Sequence, residues 1–162
     1  MRGERKQMAD EKYARGERKQ KDAKYYHDEL KDLLYGKHQF INKDTYVDDA
    51  FKCLGYSGKQ ITTSKLRSIY AVLCDIRQDE DKKDKDENIS KECLAALKLL
   101  KVRIIYDMGR DEEAVKLFMK NTHLVAYICD IEKTKSCEKF DLFCKYFEAL
   151  VAFHRYMNPK ET

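Results

Sequence analysis

The sequence predicts an all-α fold: an antiparallel bundle of about five helices behind a basic N-terminal extension. Three observations predict it. One Pro and six Gly occur in 162 residues, too few turn formers for a sandwich or a barrel. Apolar residues recur at helical spacing in several long segments. The links between those segments are short, which makes consecutive helices antiparallel neighbours. Charged residues reach 38% against a usual ~25%, so the core is compact and the surface almost wholly ionic. The organisation expected is an extension over 1–36, partly helical or disordered, and one helical-bundle domain over 37–162.

The extension opens on an imperfect repeat, MRGERKQMADEKY followed by ARGERKQKDAKYY. It offers little apolar surface, so the first copy is expected to be disordered or a frayed helix. Helical character grows through Tyr25, Leu30, Leu33 and Leu34 and stops at Gly36, a good C-cap residue. A linker, His38 to Asp44, leads to a short helix from about Tyr46 to Leu54. Gly55–Ile61 reads as a loop. Thr62, Thr63 and Ser64 offer N-cap hydroxyls before Leu66, Ile69, Tyr70, Leu73 and Ile76, which form one helical face. All nine residues of 79–87 are charged, and the run reads as a solvated loop or mobile tip. Ser90 caps a helix carrying Cys93, Leu94, Leu97, Leu100, Ile104 and Met108, ended by Gly109. Leu99 and Val102 widen its apolar face and predict a central helix. Asp111 caps the next helix, whose face is Ala114, Val115, Leu117, Phe118, Val125 and Ile128. Ser136 caps the last, which runs over Phe140, Phe143, Phe147, Leu150, Val151 and His154 until Asn158-Pro159 stops it.

The net charge of +4 is unevenly placed. Residues 1–24 carry nine basic and five acidic side chains, leaving 24 of each in the remainder. A basic extension suits a polyanion or simply solvation. The six cysteines form no C-x-x-C, and the four histidines complete no zinc-ligand spacing. Cys93, Cys129 and Cys144 lie in apolar runs and read as small core residues of a cytoplasmic protein. A signal peptide and a membrane span are not expected. The sequence lacks a phosphate-binding Gly loop, H-E-x-x-H and G-x-S-x-G. Neither His123 nor His154 has an upstream Arg at the spacing helical RNases use. No catalytic residue, metal, cofactor or small-molecule substrate is expected.

Some basic residues sit in unexpected places. Lys98 and Lys101 fall on or beside the apolar stripe of their helix, where they either snorkel or emerge in a groove to meet phosphates. Arg103 and Arg110 extend that register. Lys145 and Arg155 lie off the stripe of the last helix, while His154 sits at its centre as a core histidine. Tyr106, Tyr146 and Tyr156 read as core or rim aromatics.

Four segments carry a resemblance: ITTSKLRSIYAVLCDI (61–76), LKLLKVRIIYDMGR (97–110), AVKLFMKNTHLVAYI (114–128) and FDLFCKYFEALVAFHRYM (140–157). In that order they resemble the small subunit of the Csm complex, the type III-A CRISPR RNA-guided effector. The repeat and the 79–87 run lie outside the pattern. The resemblance implies a non-catalytic helix-bundle subunit used in antiviral defence. Several copies would stack as an inner filament beside the other Csm subunits and contact the backbone of the crRNA–target RNA duplex. Its phosphate contacts are expected among Lys59, Lys65, Arg67, Lys98, Lys101, Arg103, Arg110, Lys145 and Arg155. The rival expectation is a helical protein–protein interaction adaptor without specific RNA binding, its basic residues serving ion pairs.

Overall fold

Thr62, Ser90 and Ser136 start three of the long helices by the same device: each hydroxyl oxygen accepts the backbone N–H three residues on. The computed structural model describes residues 23–54, 61–110 and 113–159. Residues 1–22, residues 55–60 with Lys59 among them, and the expected Asp111 cap lie outside them. The chain divides into a unit over Met1–Lys37 and a unit over His38–Thr162.

In the first unit residues 23–35 are helical (α1). Gly36 donates its N–H to the Asp32 carbonyl. A Cβ there would collide with that same carbonyl oxygen, so the close approach requires glycine.

The second unit contains α2 (Tyr46–Cys53), α3 (Thr63–Asp81), α4 (Lys91–Gly109), α5 (Glu113–Thr122), α6 (Leu124–Thr134) and α7 (Cys137–Met157). α3 packs on α4 and α7, α4 on α5 and α6, and α7 also on α2 and α6. Cross-helix contacts give the directions. Lys65 meets Asp107, Ser68 meets Arg103 and Glu80 meets Ser90, so α3 and α4 are antiparallel. Tyr70 stacks on Phe147 and Arg77 pairs with Asp141, which sets α3 and α7 antiparallel as well. Leu66, Ile69, Leu73, Leu97, Leu100, Ile104, Phe143, Phe147 and Leu150 are essentially inaccessible and form the core between these three helices. His154 is buried, and its Nε2 lies 2.8 Å from the Ile61 carbonyl oxygen.

Three expectations are corrected. The stretch Ala114–Ile128, read as one helix, is two. His123 breaks it with a φ of 57°, a left-handed conformation that non-glycine residues adopt at some cost. Its N–H still bonds the Met119 carbonyl, and its carbonyl accepts from Tyr127. It therefore ends α5 and begins α6. The weak helix formers Asn121, Thr122 and His123 were the available signal.

The charged run 79–87 is not wholly solvated. Residues 79–81 complete α3, and the Glu80 carboxylate accepts both the backbone N–H and the hydroxyl of Ser90. Lys83 donates to Ser90 Oγ and to Glu92, which raises the Lys83 pKa and lowers that of Glu92. Beyond it, Ile89 donates to the Lys135 carbonyl and Cys137 to the Glu87 carbonyl. The run thus ends by tying the start of α4 to the start of α7.

The linker 38–44 is the third. His38 sits 2.6 Å from Asp130 of α6, Ile41 is buried, and the Phe40 ring meets Tyr127. It is a strap across α6. Two adjacent apolar residues, Phe40 and Ile41, in so short a span gave no periodic signal.

Candidate nucleic-acid interface

α4 has two faces of opposite character. Inward, Cys93, Leu97, Leu100, Ile104 and Met108 are buried. Outward, Leu99 is 71% exposed, Val102 59% and Tyr106 64%. This corrects the expectation of a helix buried nearly all round. The outward stripe is flanked by Lys98, Arg103 and Arg110, all exposed. At 100° per residue, these six side chains fall within an arc of about 140°.

The other basic residues divide by what they touch. Lys65 Nζ lies 3.4 Å from Asp107 Oδ1, whose side chain is almost wholly buried between α3 and α4. Lys101 Nζ lies 2.6 Å from Glu132 Oε1 and 3.9 Å from Cys129 Sγ. Lys101 thus neither snorkels nor enters a groove, because a carboxylate from α6 meets it inside the α4–α6 contact. Lys145 pairs with Asp141, which also accepts from Arg77. Arg155 Nη1 donates to the carbonyls of Asn158 and Pro159, closing the end of α7.

Arg67, Lys98 and Arg110 differ. They are exposed, and their side chains form no ion pair with a described residue. Arg103 joins them through its Nη2, which donates to Ser68 Oγ at 2.7 Å and lays the guanidinium across the α3–α4 seam. The structure therefore leaves Lys98, Arg103 and Arg110 exposed along one side of α4, and Arg67 exposed on α3. Lys145 and Arg155 stand on α7, in the contacts just described. A cation without an internal partner keeps its full charge for a phosphate. One already bonded to a carboxylate must give up that bond first.

Sequence reasoning missed Leu99 and Val102 as surface residues and left Tyr106 between core and rim. Their spacing was visible as a second apolar stripe, but two stripes on one helix describe a central helix equally well. The tyrosines divide likewise: Tyr146 is buried, whereas Tyr156 is largely in solvent at one end of α7. Burial pushes Cys93 up to about 12 and raises Cys129 and Cys144 too, so they remain protonated at neutral pH.

Among the described residues, α4 buries one side and leaves the other apolar, cationic and exposed. Such a face is the mark of helical proteins that work against a partner surface. Comparison with known proteins gives the assembly. Residues 44–160 match the family model for Csm2 Type III-A. A CRISPR system Cms protein Csm2 from Mycobacterium tuberculosis (strain ATCC 25618 / H37Rv) is 29% identical over 125 residues, covering 75% of this chain and 98% of that protein. The protein of the same name from Enterococcus italicus is 36% identical over 97 residues, 59% of this chain and 67% of its own length. The one from Streptococcus thermophilus is 27% identical over 127 residues, covering 75% and 98%. The chain belongs to the Csm2 family and is a small subunit of the type III-A CRISPR complex, a structural component that associates with other Csm subunits. No described helix is long and apolar enough to cross a membrane.

Proposed function

We propose that this subunit is non-catalytic and binds the sugar-phosphate backbone of the crRNA–target RNA duplex, with several copies lined up as an inner filament in antiviral defence. One observation carries the reading: the outward face of α4, where three cations border an uncovered apolar stripe. Phosphate contacts hold a duplex in place without reading it, and guide pairing supplies the sequence. The pool of phosphate-binding candidates is Lys59, Lys65, Arg67, Lys98, Lys101, Arg103, Arg110, Lys145 and Arg155. Its weight lies on Arg67, Lys98, Arg103 and Arg110. Leu99, Val102 and Tyr106 favour a protein surface alongside, either another copy or another Csm subunit, since apolar area of that kind gains most from protein packing. Taken alone, that stripe supports the second reading of a protein–protein adaptor.

The test combines Lys98→Ala, Arg103→Ala and Arg110→Ala in the full chain. Binding of a labelled RNA duplex is followed by anisotropy across a salt series. Affinity is expected to fall, and the log–log salt slope to flatten by about one unit for each phosphate no longer neutralised. An unchanged slope removes the assignment. Native affinity purification with sequencing of the co-eluting RNA separates the readings. Guide RNAs with one shared 5′ handle support the effector subunit. A stoichiometric protein partner without RNA supports the adaptor.

A further inference from the structure

The strap 38–44, Thr45, α2 and the elbow between α5 and α6 line a groove that the basic face of α4 does not use. Its volume is about 730 Å³, within the range of small-ligand sites. Phe40, His123 and Tyr127 supply aromatic rings to its wall. Gln39, Asn42 and Asn121 bring three primary amides, each exposed. Lys52 and Lys120 belong to the same lining. The one carboxylate, Asp49, already accepts the Thr45 hydroxyl at 2.8 Å.

The wall is braced from behind. Tyr127 is buried, its ring edge-on to Phe40 and to Tyr146. The Tyr146 hydroxyl donates to the Thr122 carbonyl at 3.0 Å, fixing the elbow. The His123 ring stacks on His38 with 15° between planes, and His38 is itself held by Asp130. His123 keeps this place in a left-handed backbone conformation. Such strain in a non-glycine residue persists where the surroundings over-determine it, and it concentrates at ligand sites.

We propose that this groove binds one unpaired nucleotide of RNA. The assignment rests on the reading of the chain as an RNA-binding subunit, and extends it from holding the backbone to capture of a base. Rings at the wall match the face of a base, amides match the mixed donors and acceptors of its edge, and ammonium groups match its phosphate. A base inside a duplex presents neither its faces nor its pairing edge, so the site selects single-stranded RNA. An apolar helix of a protein partner would find amides and charges where it needs hydrocarbon.

The experiment uses the full chain with two probes: a labelled 20-nucleotide single strand of mixed sequence, and the same strand paired to its complement. The groove variants are His123→Gly, and Gln39→Ala combined with Asn121→Ala. His123→Gly removes the ring while relieving the backbone, and the two amide positions are exposed, so none of these changes depends on refilling a core. Each groove variant is expected to weaken single-strand binding about tenfold and to leave duplex binding within about twofold. Single-strand binding equal to wild type overturns the groove and leaves the α4 reading standing. An equal loss on both probes overturns it too, because the groove would then be only part of the backbone surface. Free AMP or UMP shifting the groove amide resonances, with no change in single-strand affinity in the variants, assigns the site to a free nucleotide and overturns the RNA assignment. Wild-type protein that binds neither probe overturns the RNA reading itself.

Discussion

The two faces of α4 are built from the same residue types and meet opposite fates. Leu100 and Leu99 are adjacent in sequence, and one is 1% exposed while the other is 71% exposed. Lys101 and Lys98 sit three residues apart, and one is held by Glu132 while the other projects into solvent. The lesson is that an apolar or basic residue on a central helix has no meaning until its neighbour helices are placed. α6 supplies Glu132 and Cys129 opposite Lys101. Nothing described covers Leu99.

The severest challenge to this contrast is to truncate both leucines. Leu100→Ala is expected to cost about 3 kcal/mol, from lost burial and the cavity left behind. Leu99→Ala is expected to stay within about 0.5 kcal/mol, as surface changes do. Urea unfolding of the free subunit reads both. Similar costs would mean that the outward face is covered in the free protein.

The lysines offer the next test. Glu132→Ala removes the carboxylate that meets Lys101 in the α4–α6 contact and is expected to cost about 2 kcal/mol or more. Lys101→Met combined with Glu132→Leu should recover most of that loss, since apolar replacement of both partners restores packing. A full cost retained in the double variant would show that the pair also fixes the register of α4 on α6.

His123 gives a smaller effect of the opposite sign. His123→Gly is expected to stabilise by about 0.5–1 kcal/mol, because glycine adopts a positive φ freely. It should also change the pH profile. Burial, with His38 nearby, lowers the His123 pKa below its ordinary 6.5. The unfolded chain therefore takes up a proton more readily than the folded one. Stability is complete above pH 6.5 and falls as the pH drops through the lowered value. The advantage of the glycine variant should grow as the pH falls, and thermal melts between pH 7.5 and about 5 follow it.

Gly109 closes α4 with open space where a Cβ would stand. Gly109→Ala should stabilise by about 0.5 kcal/mol through the unfolded state alone, with RNA binding unchanged. A loss of RNA affinity would mean that this end of the helix approaches the nucleic acid more closely than Arg110 alone requires.

Much of the fold could be read from local chemistry. Thr62, Ser90 and Ser136 announce their helices because capping is satisfied within four residues of chain. The buried stripes of α3 and α7 follow from periodicity, since each helix has a single apolar face. The kink at His123 was less legible, because a left-handed histidine has no compositional signature as glycine does. The strap at 38–44 was not legible at all. Its hold on the body comes from Asp130, 92 positions from His38. The site divided in the same way. Lys98, Lys101, Arg103 and Arg110 were nominated by type and register, Lys65 and Arg67 with the family resemblance, and neither route could show the ion pairs of Lys65 and Lys101, which depend on residues far along the chain.

From the order of residues alone come the all-α class, the starts of three long helices and the residues of the main core, together with the family likeness. Each of these depends on spacing along a single helix or on order along the chain. Tertiary structure was needed to settle which lysines are neutralised inside and which remain outside, and where α4 stays bare. It also settled how the strap, α2 and the α5–α6 elbow line a groove. Those outcomes depend on distances between segments remote in sequence. A charge is fixed or freed by what lies within a few ångströms of it, and local periodicity carries no information about that neighbour.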